Sequence, residues 1–308
     1  MARRRSASGG LFFKTGILAL LASLAFWLFD QFGSDLSGQP IDKKPPMELP
    51  GDDPKAEIGN RKSEILNQVP EEIFPNSKGE LVRHTWFALS YSEDHEQAEW
   101  VAYELTRERL NANWAERPKT FRPDPRVRTE SATPRDYSGS GYDKGHLCPA
   151  ADMAFDATAI DETFFMSNIS PQFPAFNMGI WRELEELTRD WARRFKKIYV
   201  VTGPVLTETD QKPIGFSKVT IPEAFYKVLL LPDQQRAIAF ILPNQRSEQP
   251  VMDYACTIDA VENSTGIDFF PQLLKGLDEE LEASLDKSVW PVNRARYEQR
   301  VKVWNLRR

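Results

Sequence analysis

Tyr142-Asp143-Lys144-Gly145-His146-Leu147-Cys148-Pro149-Ala150-Ala151-Asp152 is the densest run of chemistry-bearing residues in the chain. Two further runs follow it: Met166-Ser167-Asn168-Ile169-Ser170-Pro171-Gln172 and Asn177-Met178-Gly179-Ile180-Trp181-Arg182-Glu183-Leu184-Glu185. His146 is one of only three histidines and follows a glycine in a turn-rich segment, beside a lysine and two aspartates. An imidazole, with an unperturbed pKa of about 6.5, suits a general base that deprotonates a water near neutral pH. A histidine held for structural reasons fits the same residues, so position alone leaves both readings open.

Outward from this run, His84–Tyr91 reads as a strand, and Glu96–Arg109 reads as a helix from the recurrence of Trp100, Val101, Leu105 and Leu110. Asn111–Gly141 is rich in proline, arginine and small polar residues, which predicts irregular loops with one or two short strands. Asp161–Met166 continues a short helix, and Met178–Phe195 is a longer one whose apolar face holds Trp181, Leu184, Leu187, Trp191 and Phe195. Ile198–Thr202, Phe225–Leu231 and Ala237–Leu242 read as central strands, and Thr257–Asn263 as a surface helix. Strands and helices alternate without a βαβ period or a Gly-rich phosphate loop, which predicts an α+β sheet domain.

Asp143-Lys144-Gly145-His146 resembles the D-R-G-H signature of the DNA/RNA non-specific endonucleases. The S-N-x-x-P-Q element at Ser167–Gln172, the N-x-G-x-W-x-x-L-E element at Asn177–Glu185 and the V-x-T-G-P strand at Val200–Pro204 follow in the family's order and spacing. The resemblance covers roughly Arg83–Pro271 and is nearest to mitochondrial endonuclease G and its bacterial relatives. It implies a ββα-metal (His-Me finger) nuclease fold, with a central mixed or antiparallel sheet flanked by helices. It also implies metal-dependent hydrolysis of phosphodiester bonds in DNA and RNA with little sequence preference, leaving 5′-phosphates, and a possible homodimer.

By that resemblance His146 is the general base, and Asn177 is the protein ligand of one Mg2+, for which Mn2+ is a possible substitute. A magnesium ion keeps most of its water shell, so one amide oxygen is a sufficient protein contribution, and the ion would offset charge on the phosphate and the leaving 3′-oxygen. Glu185 matches the family's metal-proximal acid. Eight helical residues from Asn177 correspond to about 12 Å of rise, so Glu185 is assigned to metal-bound water. Asn168 orients the site through hydrogen bonds. Arg189 is either a phosphate-binding arginine or half of a surface salt bridge, and Asp143 is read as bracing the turn that presents His146.

Lys144 departs from the family arginine and replaces a planar five-donor fork with a point charge, which pairs with a phosphate but not bidentately. That departure keeps two alternatives open: a catalytically weakened nucleic-acid-binding scaffold, and a phosphodiesterase acting on small nucleotides. Arg117, Arg122, Arg126 and Arg128 precede the motif as candidate backbone contacts, with nothing in the sequence to choose among them. Cys148, two residues past His146, reads as a small buried filler, and whether it pairs with Cys256 is undecided.

Composition narrows the classes further. The 308 residues are 41% hydrophobic and 27% charged, with eight tryptophans, which describes a folded domain rather than a disordered or collagen-like chain. Two cysteines exclude a tetrathiolate zinc site. A net charge of −6 excludes a polycation, so any grip on an acidic polymer must be local. Between Arg107 and His146, nine basic residues face six acidic ones, a modest local excess of +3.

The chain ends carry their own expectations. Residues 1–10 are a basic N-terminus, 11–29 a transmembrane signal anchor, 30–60 a proline-rich linker, 61–290 the endonuclease domain and 291–308 a basic tail. Nineteen residues give roughly 28 Å of helix, enough for one span. A cleavable signal ending near Ser23-Leu24-Ala25 is the rival, although Phe26–Phe29 prolong the apolar run. The N-terminal arginines would stay cytoplasmic, which predicts a single-pass membrane protein with its nuclease domain in a bacterial periplasm, or in the mitochondrial intermembrane space of a eukaryote.

Overall fold

A computed structural model of the chain describes residues 69–306, apart from 77, 207–211 and 275–277. Its strands are β1 (Glu80–Arg83), β2 (Phe87–Ser92), β3 (Gln97–Thr106), β4 (Asp143–His146) and β5 (Ile169–Gln172). They continue with β6 (Lys197–Pro204), β7 (Ala224–Leu231), β8 (Arg236–Pro243) and β9 (Ala255–Cys256). Seven of them make one sheet in the order β1-β2-β3-β6-β7-β8-β9, and β4 and β5 form a separate two-stranded ribbon. Every pairing is antiparallel.

The helices are α1 (Arg107–Leu110), α2 (Ala157–Glu162), α3 (Arg182–Phe195), α4 (Ile258–Thr265), α5 (Asp278–Glu282) and α6 (Arg294–Lys302). One face of the sheet packs on Leu184, Leu187 and Trp191 of α3, together with Trp181 and Trp290. The other packs on Ile258 and Val261 of α4, with Ile73, Phe269 and Phe270. The architecture is therefore α+β, an antiparallel sheet covered on both faces, and the ribbon followed by α3 is the ββα unit of the expected nuclease fold.

That double cover explains where the helical reading of Glu96–Arg109 fails. β3 lies in the sheet interior, paired with β2 and β6, and Trp100, Val101, Ala102, Tyr103 and Leu105 are all buried. A strand with both faces in a core needs apolar residues in nearly every position, so its alternation disappears and its spacing imitates a helix. The short helix expected at Asp161–Met166 instead occupies Ala157–Glu162, where the Asp156 carboxylate caps it by accepting from the Ala159 amide at 2.8 Å.

The longer helix begins at Arg182 rather than Met178. A π-helical turn, Phe176–Trp181, precedes it, and Gly179 takes a non-helical conformation there (φ −104°, ψ −109°). Within that turn Phe176 packs into the core with Leu184 and Trp191, while Asn177 beside it is half-buried and lines a cleft. In the ribbon, Gln172 lies opposite Asp143 and its side chain leans across Gly145, where a Cβ would meet the Gln172 Cδ at 2.1 Å. A larger residue between Lys144 and His146 would have to displace the Gln172 side chain.

The arginine-rich C-terminus is not a detached tail. α6 lies on α3: Arg296 pairs with Glu186 at 2.9 Å and Asp190 at 2.6 Å, and the Trp191 indole donates to the Pro291 carbonyl at 2.8 Å. Arg300 is wholly buried, pairs with Glu183 and donates to the carbonyls of Ser247 and Gln249. Arg300→Ala strands the Glu183 carboxylate in the core and is expected to cost about 3–5 kcal/mol. Chemical denaturation checks this, and the double variant Glu183→Gln/Arg300→Met should recover most of the loss.

The membrane expectation is corrected. Among the described residues no helix is long and apolar enough to cross a membrane, which overturns the single-pass, extracytoplasmic placement. The segments expected as N-terminus, anchor and linker, residues 1–60, lie outside the described residues. Cys148 and Cys256 are free thiols, the first buried and the second half-buried, so the question of a bridge between them resolves as two separate side chains.

Candidate active site

A cleft of about 400 Å3 opens between the ribbon and the start of α3, lined by Lys144, His146, Asn177, Glu185 and Arg189. Five of the six residues singled out from the sequence therefore meet at one place. The sixth, Asn168, is completely buried behind the cleft. Its amide oxygen accepts from the Cys148 backbone N–H at 2.8 Å, and its amide nitrogen donates to the Cys148 and Thr163 carbonyls at 2.9 Å each. Asn168 thus clamps the turn that leaves His146 and touches nothing in the cleft.

His146 ends β4, where its backbone pairs with Ile169. Its ring stands edge-on to Phe164 at 5.0 Å and tilted against Phe121 at 5.4 Å. Its Nε2 is screened from solvent and meets no hydrogen-bond partner among the described residues. Burial, assisted by the nearby Arg117 charge, pushes the imidazole down to about 3. The ring is therefore neutral throughout the physiological range, in the form that accepts a proton, and an incoming phosphate's negative charge would raise its basicity.

Asp143 does not act on the His146 turn as expected. Its carboxylate accepts a hydrogen bond from the Asn177 amide nitrogen at 2.9 Å. That contact fixes which way the amide points and leaves its oxygen without a protein partner among the described residues. A neutral oxygen held by a second carboxylate, with Glu185 lining the same cleft, is a hard donor set that fits a water-rich divalent cation. Asn177 would hold such an ion, and the backing by Asp143 is the kind of outer support that tunes a ligand.

Behind the cleft lies a buried charge network that no local motif reveals. Arg189 pairs with Asp152 at 2.8 Å, and the Tyr103 hydroxyl donates to the same carboxylate at 2.8 Å. Burial works against the Arg189 charge, but Asp152 and Glu185 outweigh it and raise its pKa. The salt-bridge reading of Arg189 thus describes its geometry, as a largely buried pair rather than a surface one. Lys227 on β7 is fully buried, with Nζ 4.8 Å from the Trp181 ring centre and no hydrogen-bond partner among the described residues. Burial lowers its pKa, opposed by Glu185 and Asp152.

Burial pushes the Glu185 carboxyl up to about 7, against the pull of Arg189 and Lys227. Since Lys227 lowers that value, Lys227→Met is expected to move the Glu185 titration upward in the metal-free protein. Carboxyl 13C shifts followed across pH would show it, and an unchanged midpoint would mean that Lys227 exerts no field on Glu185.

The four arginines left undivided by the sequence now separate. Arg122 pairs with Asp161, Arg126 with Glu162 at 2.8 Å, and Arg128 with Glu80 at 2.7 Å. Arg117 alone of the four lines the cleft. It makes no ion pair among the described residues and stands 5.3 Å over the Phe164 ring. Lys144 is likewise unpaired by any carboxylate among the described residues, with its Nζ 5.8 Å from the Phe121 and Tyr137 rings. Two cations with no competing internal anion therefore face the space beside His146.

Residues 67–276 match the family described as DNA/RNA non-specific endonuclease. The chain is 33% identical over 237 residues to Nuclease EXOG, mitochondrial, of Xenopus laevis, an alignment spanning 69% of this chain and 66% of that relative. It is 34% identical over 203 residues to Endonuclease G, mitochondrial, of Homo sapiens, spanning 61% of this chain and 68% of the relative. A Nuclease of Nostoc sp. is 33% identical over 235 residues, spanning 71% and 82%. Among solved structures, the EndoG/EndoGI complex contains a chain matched with a TM-score of 0.61 at 31% identity, covering 67% of this chain and 91% of that one.

Proposed function

The chain belongs to the DNA/RNA non-specific endonuclease family, whose members are nucleic-acid hydrolases, and on that premise we propose that it cleaves DNA and RNA with His146 as general base and one Mg2+ held through Asn177. The observation that carries the reading is the convergence of a neutral, unpartnered imidazole and a carboxylate-braced amide oxygen on one cleft. When bound, a divalent cation supplies Lewis-acid stabilisation of the charge that builds on the phosphate oxygens.

The chain's own groups do the rest. His146, neutral at working pH, takes a proton from the attacking water. Asn168 holds the Cys148 turn and so fixes the direction of the ring. Glu185 accepts hydrogen bonds from water in the cleft, while Lys144 and Arg117 attract the phosphate backbone without reading bases. Lys144, as a point charge, orients the phosphate less tightly than an arginine fork. A homodimer belongs to the same proposal by likeness to endonuclease G relatives, and light scattering of the full chain tests it.

The experiment is cleavage of supercoiled plasmid and of single-stranded RNA by the full chain, with magnesium and with EDTA. Metal-dependent cutting of both polymers is expected. Binding without cutting would instead identify a non-catalytic scaffold, and cutting of model diesters alone would identify a phosphodiesterase of small nucleotides.

A further inference from the structure

Trp114 stands apart from the other tryptophans of the folded body. Trp100, Trp181, Trp191, Trp290 and Trp304 are at most 3% exposed, whereas Trp114 is 64% exposed and lines the same cleft as His146. What marks Trp114 is its position rather than its exposure alone: at the mouth of a polar cleft its indole offers a flat apolar face to whatever enters. The segment around it is held: α1 ends at Leu110, and the Ala115 amide donates to the Ala154 carbonyl at 2.7 Å.

Three residues on, Arg117 projects over Phe164, whose ring in turn meets His146 edge-on at 5.0 Å. Three residues of chain span about 10 Å at most, and the exposed indole and the unpaired guanidinium both line the one cleft that also holds His146. Aromatic plane and cation side by side match a nucleotide, one taking the base and the other its phosphate.

We propose that Trp114 and Arg117 form a nucleotide subsite in which the indole stacks on an unpaired base, so that the site takes single-stranded nucleic acid, or a locally opened strand, in preference to intact duplex. In a duplex each base is covered by its neighbours, and an indole finds a free π-face only where the stack is open. The inference rests on the nuclease reading and adds to it the strand form of the substrate.

The test compares wild type, Trp114→Phe and Trp114→Ala full chains on one DNA sequence presented as a single strand and as a duplex. Trp114 is exposed, so removing it should leave the fold intact. Trp114→Ala is expected to raise KM on the single strand by roughly tenfold or more, with kcat little changed, while Trp114→Phe stays near wild type and duplex cutting hardly moves. Equal effects on both forms, or none on either, would overturn the subsite.

Binding separates this failure from failure of the nuclease reading. Anisotropy of a fluorescein-labelled oligothymidylate on the His146→Ala chain should weaken with Trp114→Ala whether or not the wild type cuts. Unchanged binding there overturns the stacking role on its own.

Discussion

Replacing His146 with alanine is expected to lower kcat on plasmid and on RNA by about 10²- to 10⁴-fold, the usual contribution of a positioned general base. The expectation follows from the ring's surroundings. Phe121 and Phe164 hold it, its Nε2 has no protein partner among the described residues, and burial keeps it neutral. Substrate binding should survive the change, because the unpaired cations of the cleft, Arg117 and Lys144, remain. Steady-state kinetics with a fluorogenic oligonucleotide would separate the two quantities, and a rise in KM at constant kcat would assign His146 to binding instead.

The second large effect concerns Asn177. Asn177→Ala removes the only amide oxygen proposed to hold the cation, and Asp143→Ala removes the partner that orients it. Loss of an outer partner typically weakens metal affinity about 10- to 100-fold, so Asp143→Ala should raise the magnesium concentration for half-maximal cutting by that factor. Asn177→Ala should cost at least as much and should not be overcome within the same range. Calorimetric titration with Mn2+ provides a readout independent of turnover. If the two variants bind Mn2+ like the wild type, the ion sits elsewhere.

The parts of this site that were legible in advance share one property: their residues lie within short contiguous runs. Asp143–His146 lies on one strand and Asn177–Glu185 runs from the π-helical turn directly into α3, so each run carries its chemistry within a few consecutive residues. The bond between Asp143 and Asn177 crosses 34 residues and depends on the π-helical turn at Phe176–Trp181, so the role of Asp143 was read from its neighbours in sequence rather than in space. The choice of Arg117 over Arg122, Arg126 and Arg128 rests on which of them meets Asp161, Glu162 or Glu80, and Lys227 reaches the network from a central strand. Neither fact leaves a local signature.

The fold shows the same division. β6, β7 and β8 were readable because their apolar runs are short and bounded by Gly, Pro or Asp. β3 was not, because apolar residues on both faces of an interior strand erase its alternation. The C-terminal arginines looked like a solvated run because their partners, Glu183, Glu186 and Asp190, lie about a hundred residues earlier. Charge composition alone says nothing of such pairing.

The most direct test of the central claim is cleavage by the His146→Gly chain with and without added imidazole, at saturating magnesium. The account predicts a nearly inactive protein whose cutting of plasmid and RNA returns in proportion to free-base imidazole, which takes the place of the missing ring. A His146→Gly chain that cuts at close to the wild-type rate and ignores imidazole would contradict it.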